Sequence, residues 1–156
     1  MFTRLAVARG ENGPHNIYML SSSVDELSPM RVSRVLLCDD SPVERMAVAH
    51  LLRQQGYEVD EAGDGESALQ YLKHRTIDLL LLDLNLPEIN GFEILSYLQV
   101  HRPGLPVIIL SGMPVDEIQG EIHRLPNHEI PTLLLKPVNP EQLLQLVELE
   151  LSGEMP

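Results

Sequence analysis

Cysteine, basic residues and long apolar runs are scarce in this chain of 156 residues. Cys38 is the sole cysteine, which excludes an internal disulfide and a zinc site built from several thiolates. The apolar runs are all shorter than the roughly 20 residues of a membrane-spanning helix, and the N-terminus lacks the apolar segment of a secretory signal. We therefore expect a cytoplasmic protein in which Cys38 is a small core residue.

Positive charge is also limited, since 11 lysines and arginines stand against 23 aspartates and glutamates, for a net charge of -12. A phosphate backbone repels such a protein unless basic residues are grouped, and here they are scattered singly. We expect neither direct nucleic-acid binding nor membrane binding. Proteins and cations are the expected partners.

The chain divides into parts that differ in pattern. Residues 1–31 are rich in Gly, Asn, Ser and Pro without lasting periodicity, and we expect them to form a flexible leader. Residues 32–152 alternate short apolar runs with segments of helical period, which predicts one compact domain. Residues 153–156 would be a short C-terminal tail.

Alternating strands and helices predict βα units around a parallel sheet. Most of the predicted strands are apolar throughout, as strands covered on both faces are. Right-handed crossovers then favour a doubly wound α/β fold of three layers, with a ligand site beyond the carboxyl ends of the strands. The predicted strands are 35–38, 57–62, 79–82, 107–110 and 133–135, and the predicted helices are 43–55, 66–75, 92–100, 115–124 and 141–151.

Polar residues follow four of these five strands. The first strand ends in Asp39 and Asp40, the third in Asp83, the fourth in Ser111 and the fifth in Lys136. Because the ends of parallel strands meet at one edge, we expect these side chains to lie together. Simpler interpretations exist for some of them: Asp40 would cap a helix, Ser111 would close a turn, and Lys136 would merely neutralise the acids.

Asp83 is the hardest of these residues to explain as a helix cap, because it ends an all-leucine run with no helix directly after it. Three adjacent carboxylates repel one another unless a cation neutralises them, and oxygen ligands suit Mg²⁺. The six histidines have no partner at zinc-ligand spacing, and we expect them at the surface. A cation, a nucleophilic carboxylate, a hydroxyl and an amine together suit phosphoryl transfer to aspartate.

Four sequence blocks resemble the receiver domains of bacterial two-component response regulators, over about residues 34 to 151. The blocks are Val-Leu-Leu-Cys-Asp-Asp-Ser at 35–41, Leu-Asp-Leu-Asn-Leu-Pro at 82–87 with Gly91, Ile-Leu-Ser-Gly at 109–112, and Lys136-Pro137 before the last helix. The resemblance implies a flavodoxin-like fold whose five-stranded sheet has the order 2-1-3-4-5.

The resemblance implies Mg²⁺ as the cofactor and a role for each residue around it. Asp83 would accept the phosphoryl group and contact the metal ion, and Asp40 would be a direct metal ligand. Asp39 would bind the ion through water, and Asn85 through its backbone carbonyl. The protein would be a switch rather than an enzyme, catalysing at most its own phosphorylation and dephosphorylation.

The resemblance also implies that Ser111 and Lys136 contact the phosphoryl oxygens and that their movement shifts the fourth and fifth strands. A sensor histidine kinase or a histidine phosphotransfer protein would supply the phosphoryl group. A downstream protein would bind the face formed by the fourth helix, fifth strand and fifth helix. Five residues follow the last predicted helix, so we expect a stand-alone receiver without an output domain.

Two features depart from the family pattern. Leu133 stands where receivers usually have Tyr or Phe, three residues before the lysine, and residues 125–131 replace a short Gly-Ala turn. An aromatic readout is therefore not expected, and the partner surface should be reshaped. Asn90, where an aspartate is frequent before the glycine, tolerates the same turn geometry.

Two other functions remain open from the sequence. A haloacid-dehalogenase-like phosphatase also uses a strand-end aspartate with Mg²⁺, but it needs a second aspartate two residues later, where this chain has Asn85. A module that binds partners without being phosphorylated is compatible with Leu133. The complete set of acids and lysine favours phosphorylation, because unpaired carboxylates are costly without a cation.

Overall fold

The N-terminal part contains three short strands. The computed structural model describes residues 4–8, 16–20, 27–29 and 31–153. The first three pieces are β1 (Arg4–Ala8), β2 (Asn16–Leu20) and β3 (Leu27–Pro29), which form an antiparallel sheet in the order β1-β2-β3. This differs from the flexible leader predicted for residues 1–31, because apolar and β-branched residues favour strands despite the surrounding Gly, Asn and Ser. The domain boundaries at residues 31 and 152 stay predictions.

Residues 31–153 alternate five strands with five helices, as predicted. No helix in the described residues is long and apolar enough to cross a membrane. Each element lies within two residues of its predicted bounds. The strands are β4 (Arg34–Cys38), β5 (Glu58–Ala62), β6 (Leu79–Asp83), β7 (Val107–Ser111) and β8 (Thr132–Leu135), and the helices are α1 (Pro42–Gln54), α2 (Gly65–His74), α3 (Gly91–His101), α4 (Val115–Ile122) and α5 (Pro140–Ser152).

The five strands form one parallel sheet in the order β5-β4-β6-β7-β8. Counted among themselves, these strands have the predicted order 2-1-3-4-5. Asp83 at the end of β6 is paired with Leu110, and Ser111 at the end of β7 is paired with Leu135. The register therefore brings the polar residues that follow the strands to the same edge of the sheet.

Apolar side chains fill both faces of this sheet and form two separate clusters, as a doubly wound fold requires. One cluster joins the sheet to α2, α3 and α4, and the other joins it to α1 and α5. The helix residues buried in the first cluster are Ala68, Leu72, Ile94, Leu95, Leu98, Ile118 and Ile122, and those in the second are Val48, Ala49, Leu52, Leu143 and Val147. The three-layer α/β prediction is confirmed.

Side-chain caps fix where four of the five helices begin. Asp64, Asn90 and Asn139 accept hydrogen bonds from backbone N–H groups in the first turns of α2, α3 and α5. Ser41 does the same for α1, at 3.4 Å from the N–H of Glu44. Since Ser41 holds the cap position, the alternative that the acid before it caps this helix is wrong.

Candidate functional site

Three aspartate side chains meet at the carboxyl edge of the parallel sheet. Asp39 and Asp40 follow β4, and Asp83 ends β6. One carboxylate oxygen of each lies within 4.8 Å of those of the other two. Asp39 and Asp83 are buried and Asp40 is exposed. The part of the chain that the structure describes has no other such group of three His, Cys, Asp or Glu side chains.

Backbone N–H groups orient the two buried aspartates. The N–H of Ser41 donates to Oδ1 of Asp39 at 2.9 Å, and the N–H of Asn85 donates to Oδ1 of Asp83 at 3.0 Å. Each carboxylate therefore has one oxygen held by its own loop and the other turned toward the centre of the site. This arrangement is what leaves both acids available to a shared cation.

Lys136 places its ammonium among three carboxylates. Its Nζ atom lies 2.7 Å from Oε2 of Glu44, 3.0 Å from Oδ2 of Asp83 and 3.1 Å from Oδ2 of Asp39. Burial favours the neutral amine, but the hydrogen bonds to these acids outweigh it and hold the pKa of Lys136 above its ordinary value. The lysine is therefore a firmly charged cation.

Asp83 shows the opposite balance. Burial raises the pKa of its carboxyl group above the ordinary value, and the hydrogen bonds from Lys136 and from the N–H of Asn85 only partly oppose this. Only 4% of Asp83 is exposed, so its negative charge is costly to maintain with the lysine alone. Additional positive charge at this edge would favour the carboxylate form.

Cys38 lies just behind the site and plays no part in its chemistry. It is fully buried, as predicted for a small core residue. Burial and the nearby carboxylates of Asp64, Asp83 and Asp39 raise the pKa of its thiol to about 12. The neutral thiol is a poor nucleophile and a poor metal ligand.

Ser111 is fully buried at the end of β7, next to the strand that carries Asp83. Its Oγ accepts a hydrogen bond from the N–H of Met113 at 3.0 Å, which is the turn interpretation of this serine. The hydroxyl proton remains available as a donor, because a serine hydroxyl donates once and accepts twice. Its carbonyl accepts from the N–H of Lys136 at 2.8 Å, which ties these two strand ends together.

The loop after Asp83 is held by close backbone contacts. A Cβ on Gly91 would lie 2.6 Å from Cα of Leu84 and 3.0 Å from the carbonyl oxygen of Asp83, so only glycine fits where α3 begins. The N–H of Gly91 also donates to the carbonyl of Leu84 at 3.0 Å. Glu88 in the same loop has a φ of 64°, a left-handed conformation that is uncommon outside glycine.

Two residues of α1 contact the site although the sequence analysis did not select them. Glu44 contacts Lys136, and Nη1 of Arg45 donates to the carbonyl oxygen of Asp39 at 2.7 Å. Their position offers a signal in retrospect, because the first turn of a helix that begins directly after Asp40 must lie over the strand ends. Their residue types alone gave none, since charged residues are common on helix surfaces.

The donor atoms at this edge fit magnesium and not zinc. Three carboxylates offer only oxygen, which Mg²⁺ prefers, and the exposed Asp40 gives a bound ion contact with water. The described histidines are all exposed, as predicted, and none joins a metal-like group. They are His50, His74, His101, His123 and His128.

The two departures from the family pattern lie away from the acids. Leu133 in β8 is half-buried and packs against the apolar cluster of α2, α3 and α4. The segment 125–131 is tied to α3 by Gln99, whose Nε2 donates to the carbonyl of Asn127 at 2.7 Å and whose Oε1 accepts from the N–H of Asn127 at 3.0 Å. The altered segment is therefore anchored by its own specific contact.

Comparison with known proteins agrees with this geometry. Residues 35–148 match the response regulator receiver domain. The chain belongs to this family. Receiver domains are switches in two-component signalling that work with sensor histidine kinases, and their acidic pocket corresponds to the cluster of Asp39, Asp40 and Asp83.

Individual relatives are similar over the same region. The probable transcriptional regulatory protein TcrX of Mycobacterium tuberculosis is 39% identical over 88 residues, which cover 55% of this chain and 38% of TcrX. The transcriptional regulatory protein PdtaR of the same species is 30% identical over 120 residues, which cover 76% of this chain and 57% of PdtaR. The chain thus spans less than two thirds of either relative.

A solved receiver domain shows the same fold. The CheY-like response regulator receiver domain protein of Methanospirillum hungatei JF-1 superposes with a TM-score of 0.72 at 28% identity. The superposition covers 79% of this chain and 96% of the other. The predicted family and sheet order are therefore confirmed.

Proposed function

We propose that this receiver accepts a phosphoryl group on Asp83 and thereby changes how it binds a partner protein. The observation that carries the proposal is the position of the Asp83 carboxylate. It lies in one cluster with the carboxylates of Asp39 and Asp40, and its Oδ2 is 3.0 Å from Nζ of Lys136. This combines a nucleophilic oxygen with groups that neutralise phosphoryl charge.

The chemistry is a transfer of one bond. An oxygen of Asp83 forms a bond to phosphorus while the bond from phosphorus to the donor's histidine nitrogen breaks, and the histidine keeps that electron pair. Bound Mg²⁺ would supply positive charge to the transferred oxygens, held by Asp39, Asp40, Asp83 and the backbone carbonyl of Asn85. Ser111 and Lys136 would donate hydrogen bonds to the phosphoryl oxygens.

We further propose the partners that this chemistry requires. A sensor histidine kinase or a histidine phosphotransfer protein would be the donor, because phosphohistidine is the phosphoryl donor of two-component signalling. The receiver would then bind a downstream protein through the face of α4, β8 and α5, since Ser111 and Lys136 adjoin these elements. The net charge of -12 disfavours direct binding to nucleic acid.

Intact mass after incubation with acetyl phosphate and Mg²⁺ tests the proposal. We expect a single phosphoryl adduct on the wild-type chain and none on Asp83→Asn or in the presence of a chelator. An adduct that persists in Asp83→Asn would place the acceptor elsewhere. No adduct on a folded wild-type chain that also fails to bind beryllium trifluoride would favour a module that binds partners without phosphorylation.

A further inference from the structure

Lys136 has its shortest contact with a residue outside the aspartate cluster. Its ammonium has three N–H donors, and the three carboxylates of Glu44, Asp83 and Asp39 occupy all of them. The distance to Glu44, 2.7 Å, is the shortest of the three. A phosphoryl group that needs the lysine must therefore share it with Glu44 or displace Glu44.

Glu44 is held less firmly than the other two acids. Asp39 and Asp83 each accept a second hydrogen bond from a backbone N–H and are buried. The side chain of Glu44 is 54% exposed, and within residues 31–153 its carboxylate has an ion pair with Lys136 alone. Its place in the first turn of α1 favours a negative charge there, because helix N-termini carry partial positive charge.

We propose that Glu44 competes with the phosphoryl group for Lys136 and so lowers the affinity of the site for phosphate. The inference rests on the proposed function and deepens it by assigning Glu44 as a positioning residue for the lysine. Its charge acts in two ways with the same sign: it neutralises part of the ammonium, and it repels the incoming anion. Glu44 would thus favour the unphosphorylated state.

The opposite role makes the opposite prediction. If Glu44 braced Lys136 for the phosphoryl group, its removal would weaken phosphate binding. Glu44→Gln keeps the length and shape of the side chain and removes only the charge. The sign of the change in affinity therefore decides between competition and bracing.

The test is a titration with beryllium trifluoride at saturating Mg²⁺, followed by the amide resonances of Ser111 and Gly112. For Glu44→Gln we expect binding about three- to tenfold tighter than wild type, a modest factor because the pair is half exposed. Glu66→Gln is the matched control. It removes one exposed first-turn acid from α2, which follows β5 at the sheet edge opposite β8, and we expect a change within about twofold.

Salt provides a readout that a merely structural role would not move. The difference between Glu44→Gln and wild type should shrink as the salt concentration rises, because the competition is between charges. Equal or weaker binding by Glu44→Gln, or an equal gain in Glu66→Gln, would overturn the inference while leaving the phosphorylation proposal intact. A wild-type chain that neither binds the probe nor forms the adduct would overturn both.

Discussion

The Nζ atom of Lys136 lies 3.0 Å from Oδ2 of Asp83, although 53 residues separate them in the sequence. Three neighbouring strands, β6, β7 and β8, create this contact, because they place the two residues at the same edge of the sheet. The contact joins the residue expected to receive the phosphoryl group to the residue expected to respond to it. Each half of this pair has a testable effect on the free protein.

Replacing Lys136 by Met should weaken the fold and strengthen metal binding. Without the ammonium, Asp39 and Asp83 repel each other, so we expect a loss of about 2 kcal/mol or more in the free energy of unfolding without Mg²⁺. The same uncompensated charge should make Mg²⁺ bind several-fold tighter. Lys73→Met, which changes the other lysine at an exposed position of α2, is the control. Calorimetric Mg²⁺ titrations that show weaker binding to Lys136→Met would contradict this.

Replacing Asp83 by Asn should stabilise the metal-free protein at neutral pH. The pKa of Asp83 is raised in the folded state. Between its ordinary and raised pKa values the folded chain holds more protons than the unfolded chain, so this group lowers stability as pH rises. We expect Asp83→Asn to gain on the order of 1 kcal/mol at neutral pH.

The pH dependence of that gain is the decisive part of the measurement. In urea denaturation without Mg²⁺, the gain of Asp83→Asn should shrink as the pH falls toward the ordinary pKa of aspartate. Asp116→Asn, at an exposed position in the first turn of α4, should show no comparable gain. A gain for Asp83→Asn that grows on acidification would show that the sign of the shift is wrong.

Two glycine substitutions should have opposite effects on stability. Gly91→Ala would force Cβ to within 2.6 Å of Cα of Leu84, so we expect a loss of about 2 kcal/mol or more and a disturbed loop after Asp83. Gly120 lies within α4, and a Cβ there meets nothing within 4 Å. Gly120→Ala should therefore gain about 0.5–1 kcal/mol. Thermal unfolding of both variants measures this, and equal effects would refute the packing argument.

The face of α4, β8 and α5 should respond to a phosphate mimic although Leu133 replaces the aromatic residue. Ser111 and Lys136 are joined by a 2.8 Å backbone hydrogen bond, so a shift of one strand end must move the other. We expect beryllium trifluoride with Mg²⁺ to change amide shifts across α4, β8 and α5. Changes confined to residues that line the acidic cluster would disprove the conformational effect.

The contact between Gln99 and Asn127 should protect the segment 125–131 from solvent exchange. In Gln99→Ala the N–H of Asn127 loses its acceptor, and we expect its hydrogen exchange to become about fivefold faster. Gln70→Ala, at an exposed position of α2, should leave that rate unchanged. Unchanged exchange in Gln99→Ala would mean that other contacts order the segment.

The sequence was informative where one residue type has one physical consequence. All-apolar runs such as Leu79 to Leu82 predict strands covered on both faces, and these four leucines are fully buried. Strand ends in a parallel sheet share an edge, so Asp39, Asp83 and Lys136 could be placed together before any coordinates. Family and sheet order followed from the same blocks of residues.

The sequence was less informative where a contact depends on a side chain's direction. Glu44 was missed because many exposed helix acids contact nothing, and its value comes from lying over Lys136. The pairing of Gln99 with Asn127 joins a helix to an irregular segment, which no periodic pattern predicts. The strands β1 to β3 were missed because the surrounding composition indicated disorder, whereas their pairing is set by neighbouring strands.

The location of Asp83 on a central strand and of Lys136 beyond an edge strand makes the site mechanically unequal. β6 has a hydrogen-bonded neighbour on each side, while β8 has one neighbour and its Leu135 is 49% exposed. The aspartate therefore stands on the stiff part of the sheet and the lysine on the compliant part. A force generated between the two residues is relieved by movement of β8 and of α5 after it, while β6 keeps its place.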